Sequence, residues 1–270
     1  MPAVSTSCKS AIVLMLLLCV GAPARIQKKR IRVAAASDLQ TVMPRIAAAF
    51  EGQTQTGVDL TYGSSGNLFA QIQNGAPFDL FFSADEEFPT KLIQGDLAEP
   101  RTAMVYGVGS LTLWMPADAK CDPQAERWKC LLRPDVTKVA IANPAHAPYG
   151  RAAVAALQAA HVYDQVRTKF VLGENISQAA QFVQSGNAQA GILASSQARS
   201  AAMRNGKQWE IPRGGYPPID QTVVVLKAAK EKSAAENFVK FVTEGSGRSV
   251  LEQFGFQPPP APTPPTERHK

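Results

Sequence analysis

From residue 31 onward, short apolar runs alternate with segments of helical period. Residues 31–36 (IRVAAA) read as a buried strand. Leu39, Val42, Ile46, Ala49 and Phe50 then share one face of an amphipathic helix, with Pro44 inside the pattern. Proline lacks an N–H and clashes with the preceding turn, so Pro44 kinks this helix or delays its start. Residues 58–62 alternate as a strand, and a helix carrying Leu68 and Ile72 stops at Gly75. Residues 78–82 form a third strand, followed by SADEE and another helix. The pattern continues with strands at 111–115, 138–142, 169–172, 190–193 and 222–226. An alanine-rich helix follows Gly150, and two more cover 178–184 and 234–241, the last turning Phe238 and Phe241 inward. Strands alternating with helices imply parallel sheets covered on both faces. These strands are too many for one sheet, which predicts two α/β lobes.

The chain ends look different. Lys9 precedes an apolar run over 11–20, and Ala22 and Ala24 form an A-x-A site. That is the pattern of a secretory signal peptide cleaved near Ala24. The run is well short of the ~20 residues a membrane span needs. Cys19 lacks the small residues that precede a lipidated cysteine. At the other end, residues 257–270 contain PPPAPTPP and read as a disordered tail. The expected organisation is a signal peptide over 1–24, a basic arm over 25–30, a first lobe over 31–106, a second lobe over 107–218, and a return segment over 219–256 that rejoins the first lobe.

Lys and Arg number 28 against 22 Asp and Glu, a net charge of +6. Much of the excess sits in Arg25, Lys28, Lys29, Arg30 and Arg32. No aromatic residue interleaves these charges, so they read as a solvated arm and not as a nucleic-acid surface. Cys8 and Cys19 belong to the leader, which leaves Cys121 and Cys130. Export favours a disulfide between them, worth about 2.5–3 kcal/mol by restricting the unfolded chain. No histidine lies near the pair, which argues against a metal centre.

Four junctions share one design. Ser37-Asp38, GSSG over 63–66, PYG over 148–150 and ENIS over 174–177 each follow a strand and open a helix. Ligands of open α/β sheets bind beyond the carboxyl ends of the strands. A helix start there offers unpaired N–H groups and about half a positive charge, which suits an anion without any lysine or arginine. Ser37, Ser64 and Ser65 add hydroxyl donors, and the glycines allow close approach. Serine and asparagine are also ordinary helix caps. Asp38 reads as a first-turn residue that stabilises the helix start. A cleft-facing carboxylate would instead repel a dianion and favour a protonated ligand.

The runs AAASDLQTVMPRIAAAFE, YGSSGNLFAQIQNGAPFDLFFSADEEFPTKL and IANPAHAPYGRAA resemble the periplasmic molybdate-binding proteins of ABC importers. The likeness spans roughly residues 31–256 and is most specific in GAPFDLFFSAD. It implies a two-lobed, type II periplasmic binding protein, a monomer in the periplasm, each lobe a mostly parallel sheet flanked by helices. Molybdate or tungstate would sit in the cleft, with no cofactor, for delivery to a membrane permease with a cytoplasmic ATPase. The resemblance assigns the contacts to the hydroxyls and N–H groups of Ser37 and Ser65 and the backbone N–H groups of Tyr149 and Ile176. Ser64 and Asp38 are weaker candidates. Some relatives place a tyrosine hydroxyl after the strand that corresponds to 190–193. Ala194 stands there, so Tyr149 or a main-chain N–H is expected to substitute. Sulfate or another tetrahedral oxyanion is the alternative ligand. An enzyme is not expected: no carboxylate, cysteine or serine stands at triad spacing from His146, His161 lies at a predicted helix end, and His269 is in the tail.

Overall fold

The computed structural model describes residues 29–259. The expected signal peptide, the arm over 25–28 and the tail from 260 lie outside the described residues. In chain order the strands are β1 (Arg30–Ala36), β2 (Gly57–Gly63), β3 (Leu80–Ser83), β4 (Met104–Gly109) and β5 (Leu111–Met115). They continue as β6 (Val139–Ala142), β7 (Phe170–Gly173), β8 (Ala190–Ala194), β9 (Lys207–Glu210) and β10 (Ile219–Val225). The helices begin with α1 (Met43–Thr54), α2 (Ser65–Gln73), α3 (Glu87–Gln94), α4 (Pro123–Glu126), α5 (Lys129–Leu132) and α6 (Pro148–Ala159). They end with α7 (Tyr163–Val166), α8 (Ile176–Gln184), α9 (Ser195–Ala198), α10 (Lys232–Glu244) and α11 (Ser246–Gln253). Among the described residues no helix is long and apolar enough to cross a membrane.

Two five-stranded sheets result, ordered β2-β1-β3-β10-β4 and β7-β6-β8-β5-β9. In the first, β1 pairs in parallel with β2 and β3, and β10 runs antiparallel to β3 and β4. In the second, β6 pairs in parallel with β7 and β8, and β5 runs antiparallel to β8 and β9. Each sheet therefore has a single reversed strand, β10 or β5, and the rest run one way. Those two strands are where the chain changes lobes. Ser110 alone joins β4 to β5, and residues 211–218 join β9 to β10.

Strand β4 stays in the first sheet through Gly109, past the expected division at 106/107. Arg30, assigned to the basic arm, is the first residue of β1 and pairs with Asp59. Gln257, assigned to the tail, exchanges both backbone hydrogen bonds with Val108 at 2.9 Å. Pro44 delays its helix. A 3-10 turn over Ser37–Thr41 comes first, and Pro44 then occupies the first turn of α1, where its missing N–H has no intrahelical partner to lose.

Apolar side chains fill the space between sheets and helices as the periodicity requires. Phe50 of α1, Phe82 of β3 and Phe238 of α10 pack edge to face in the first lobe, with ring centroids 5.0 and 6.1 Å from Phe238. Burial of each is worth about 1.5–3 kcal/mol. Phe241 is only partly buried. In the second lobe the Cys121–Cys130 disulfide, Cα to Cα 5.7 Å, belongs to the apolar core.

Candidate functional site

Strand register brings the four junctions together. Ala36 is the partner of Gly63 at the ends of β1 and β2, so Ser37 and the Ser64-Ser65 step leave the sheet side by side. In the other lobe Ala142 is the partner of Gly173, so the turns leading to α6 and α8 also start level. The lobes face each other across these ends. Ser37, Ser64, Ser65, Tyr149 and Ile176 line one cavity of about 10 Å³, with Asp38, Ala36, Gly63, Ala84, Ala147 and Pro148. All five predicted donors are nearly fully buried there. No lining residue is Lys, Arg or His.

Local bonds decide which donors remain. Ser64 caps α2, its hydroxyl accepting the Asn67 N–H at 3.3 Å. It also meets Nδ1 of His146 at 2.9 Å across the lobes. Ser64 is thus a cap and a bridge. The Ser65 hydroxyl accepts the Ala84 N–H at 2.9 Å, which orients it and leaves its hydrogen to donate. At α8, Asn175 caps the Gln178 N–H at 3.1 Å, and the Ile176 N–H belongs to the orphan first turn. At α6, Pro148 has no N–H and Ala147 makes no side-chain cap, so the first N–H of the helix is that of Tyr149. Gly150 is required here, since a Cβ would lie 2.2 Å from the Ala142 carbonyl oxygen.

Asp38 departs from its expected role as a helix-start residue. Its side chain makes no cap. It turns inward, fully buried, and Oδ2 accepts from Gln221 Nε2 at 2.6 Å. The same Gln221 amide donates to the Tyr149 hydroxyl at 2.9 Å, and Gln221 Oε1 accepts from the Tyr106 hydroxyl. Burial pushes the Asp38 carboxyl up to about 6, and bonds from Gln221, Tyr149 and the Asp38 and Leu39 backbone N–H groups offset only part of that. Burial, and then the neighbouring Asp38 charge, push Tyr149 and Tyr106 well above the ordinary phenol value. This floor joins α6 to β10, and the sequence reading missed Gln221 and Tyr106 altogether. A glutamine adjoining a predicted strand and a tyrosine in a glycine-containing run carry no local signal of burial.

Ala194 is not among the residues that line the cavity, whereas Tyr149 is. The following serines reach outward from β8, Ser195 to the Ser110 and Thr112 hydroxyls at 2.8 and 2.7 Å, and Ser196 to the Asp38 carbonyl at 2.9 Å. Ser177 Oγ similarly donates to the Ser37 carbonyl at 2.9 Å. The Gly66 N–H donates to the His146 carbonyl at 2.9 Å, and Arg151 pairs with Asp85 and Glu87 at the cavity mouth. Except for those of Ser195, which lie within the second lobe and its crossing, these bonds tie the two lobes together.

His146 has more partners than its spacing suggested, with Nε2 3.6 Å from Glu174 Oε2 on the side away from Ser64. The Ser64–His146–Glu174 row superficially has the members of a hydrolytic triad. Its serine, however, is buried and serves as a helix cap. Cys121, Glu126 and Cys130 lie within metal-ligand reach of one another, but the two sulfurs are bonded to each other. The arrangement can hold a compact acceptor of hydrogen bonds between uncharged donors.

The family model described as "Bacterial extracellular solute-binding protein" matches residues 31–257. The molybdate-binding protein ModA of Rhodobacter capsulatus is 35% identical over 223 residues, 83% of this chain and 86% of that protein. ModA of Azotobacter vinelandii is 35% identical over 232 residues, 85% of this chain and 90% of that protein. Among solved structures, the Azotobacter vinelandii periplasmic molybdate-binding protein superposes with a TM-score of 0.80 at 32% identity, covering 85% of this chain and 99% of that one.

Proposed function

Because the chain belongs to the bacterial extracellular solute-binding protein family, we propose that it captures molybdate, and tungstate with it, for an ABC importer. The family is one of binding proteins, not enzymes. The observation that carries the ligand reading is the cavity. Two segment starts from each lobe line it, every predicted contact offers a hydroxyl or N–H, and no basic side chain is present. A fully deprotonated tetrahedral oxyanion only accepts hydrogen bonds, so a donor set of this kind matches it. Ser37 and Ser65 supply hydroxyls, and Tyr149 and Ile176 supply main-chain N–H groups. Fixed dipoles do the work that lysine or arginine does in other anion sites. Relatives named for molybdate, similar over most of this chain, support the same ligand. On this reading the protein acts as a monomer in the periplasm and hands the anion to a permease driven by a cytoplasmic ATPase.

Thermal unfolding of the exported chain with molybdate, tungstate, sulfate and phosphate tests the proposal. A ligand at a hundred times its Kd adds about 2.7 kcal/mol, or a rise in Tm of about 5–10 °C for a chain of this size. Molybdate and tungstate should give that rise at concentrations where sulfate and phosphate give none. A rise with sulfate or phosphate alone would reassign the ligand.

A further inference from the structure

We propose that Asp38 enters the anion complex as a neutral acid, so that each oxyanion captured brings one proton into the site. The inference rests on the oxyanion reading above. Asp38 lines the cavity and is 0% exposed. Its Oδ2 is held by Gln221, while Oδ1 is buried with no partner in hydrogen-bonding geometry, the Asp38 and Leu39 N–H groups and the Tyr149 hydroxyl acting on the carboxyl only weakly. A buried carboxylate oxygen without a partner is costly and uncommon. It stands beside a space otherwise bounded by donors.

The charges around it set the sign. The titratable groups facing Asp38 are Tyr149 from α6 and Tyr106 from β4, with Asp85 beyond Tyr106 and Tyr216 beyond Tyr149. None is a cation, and among the described residues no positively charged group is a cause of the shift at Asp38. An ionised Asp38 would therefore meet an incoming dianion as a like charge in a poorly solvated place. Protonation removes that repulsion and turns Asp38 from an acceptor into a donor, so its O–H joins the serine hydroxyls. Burial already lifts the carboxyl to about 6, and a neighbouring anion lifts it further. The reaction balances as protein carboxylate plus oxyanion plus one solvent proton giving one complex, with no bond to the central atom formed. Asp38 is then a specificity device. It admits fully deprotonated oxyanions by giving them a proton to share, and couples capture to the acidity of the medium.

Isothermal titration of molybdate into the exported chain tests this at a fixed pH near 7.5, in two buffers of different ionisation enthalpy. The difference in heat should correspond to uptake of about one proton per anion bound. Between roughly pH 6.5 and 8.5, where molybdate itself stays a dianion, Kd should rise by up to about tenfold per pH unit. Asp38→Asn keeps the shape and a donor but cannot ionise. It should bind molybdate with no proton uptake and a flat pH profile, which a merely structural role for Asp38 would not produce. Wild-type binding without proton uptake and without pH dependence would overturn the proposal and leave the oxyanion site standing. The same slope in Asp38→Asn would also overturn it. Phosphate binding that strengthens with pH would make Asp38 an acceptor for a protonated ligand, against the proposal. No binding of molybdate at any pH would overturn both readings.

Discussion

Ser65 uses its hydroxyl twice, accepting from Ala84 and keeping a hydrogen for the cavity. Removing it therefore has two effects. Ser65→Ala should weaken molybdate binding about tenfold to a hundredfold, the worth of one hydrogen bond to a charged partner. It should also cost about 1–3 kcal/mol of stability, because the Ala84 N–H loses its buried acceptor. Ser37 uses its carbonyl, and not its hydroxyl, to bind Ser177. Ser37→Ala should accordingly weaken binding by a similar factor with little change in urea midpoint, and titration alongside urea unfolding separates the two cases. Asp38 gives a residue-scale prediction of its own in the ligand-free protein. Its folded pKa is about 6 against 3.8 in the unfolded chain, from burial. Between those values the folded state holds a proton that the unfolded state has lost, so stability falls as pH rises through the window. Asp38→Asn should gain up to about 3 kcal/mol over wild type at pH 8 and nothing comparable at pH 4, using about 1.4 kcal/mol per pKa unit. An equal difference at both pH values would contradict the assignment. The serines were legible because hydroxyl residues at strand-to-helix steps are a local signal. The direction of Asp38 was not, since a 3-10 turn before Pro44 rotates its side chain inward, and spacing records position without rotamer.

At the scale of elements, parallel register does most of the positioning, because strands that end level deliver their following turns to one place. Short buried strands such as β3, β6 and β8 were legible as apolar runs. Strand β4 was not, since MVYGVG carries two glycines and reads as a loop. Strand β9 (KQWE) is polar at a sheet edge, and α11 (SGRSVLEQ) opens with poor helix formers. Both exist because tertiary packing overrides weak local preference. Gly66, early in α2, sits so close to the second lobe that a Cβ would lie 2.7 Å from the His146 carbonyl. Gly66→Ala should leave α2 as stable or more so, yet hold the lobes apart. Weaker molybdate binding with an unchanged or raised Tm of the ligand-free protein is the expected pair of results. The Cys121–Cys130 disulfide lies in the second-lobe core, and neither cysteine lines the cavity. Replacing both with serine should lower stability by about 2–3 kcal/mol. Titration should find the molybdate Kd of the folded protein nearly unchanged.

For the whole molecule, the two chain crossings at β4–β5 and β9–β10 define the axis about which the lobes can swing. Periodicity alone predicted two lobes because the strands outnumbered one sheet. It had no means of locating a crossing made by the single residue Ser110, which separates two apolar strands. The lobes are joined at the mouth by Arg151 of α6 with Asp85 and Glu87. These groups are partly exposed, so the pair is worth about 1 kcal/mol or less. Arg151→Ala should shift the balance toward an open form and weaken binding by up to about fivefold, with a larger radius of gyration by small-angle scattering in the ligand-free state. Molybdate should restore the compact radius.

The most direct test of the account is a crystal structure of the exported chain with molybdate. The account places a tetrahedral anion in the cavity between β1, α2, α6 and α8. Its oxygens should lie about 2.7–3.1 Å from the Ser37 and Ser65 hydroxyls and the Tyr149 and Ile176 N–H groups. Molybdate held elsewhere, bound through lysine or arginine, or joined directly to the Asp38 carboxylate would contradict it.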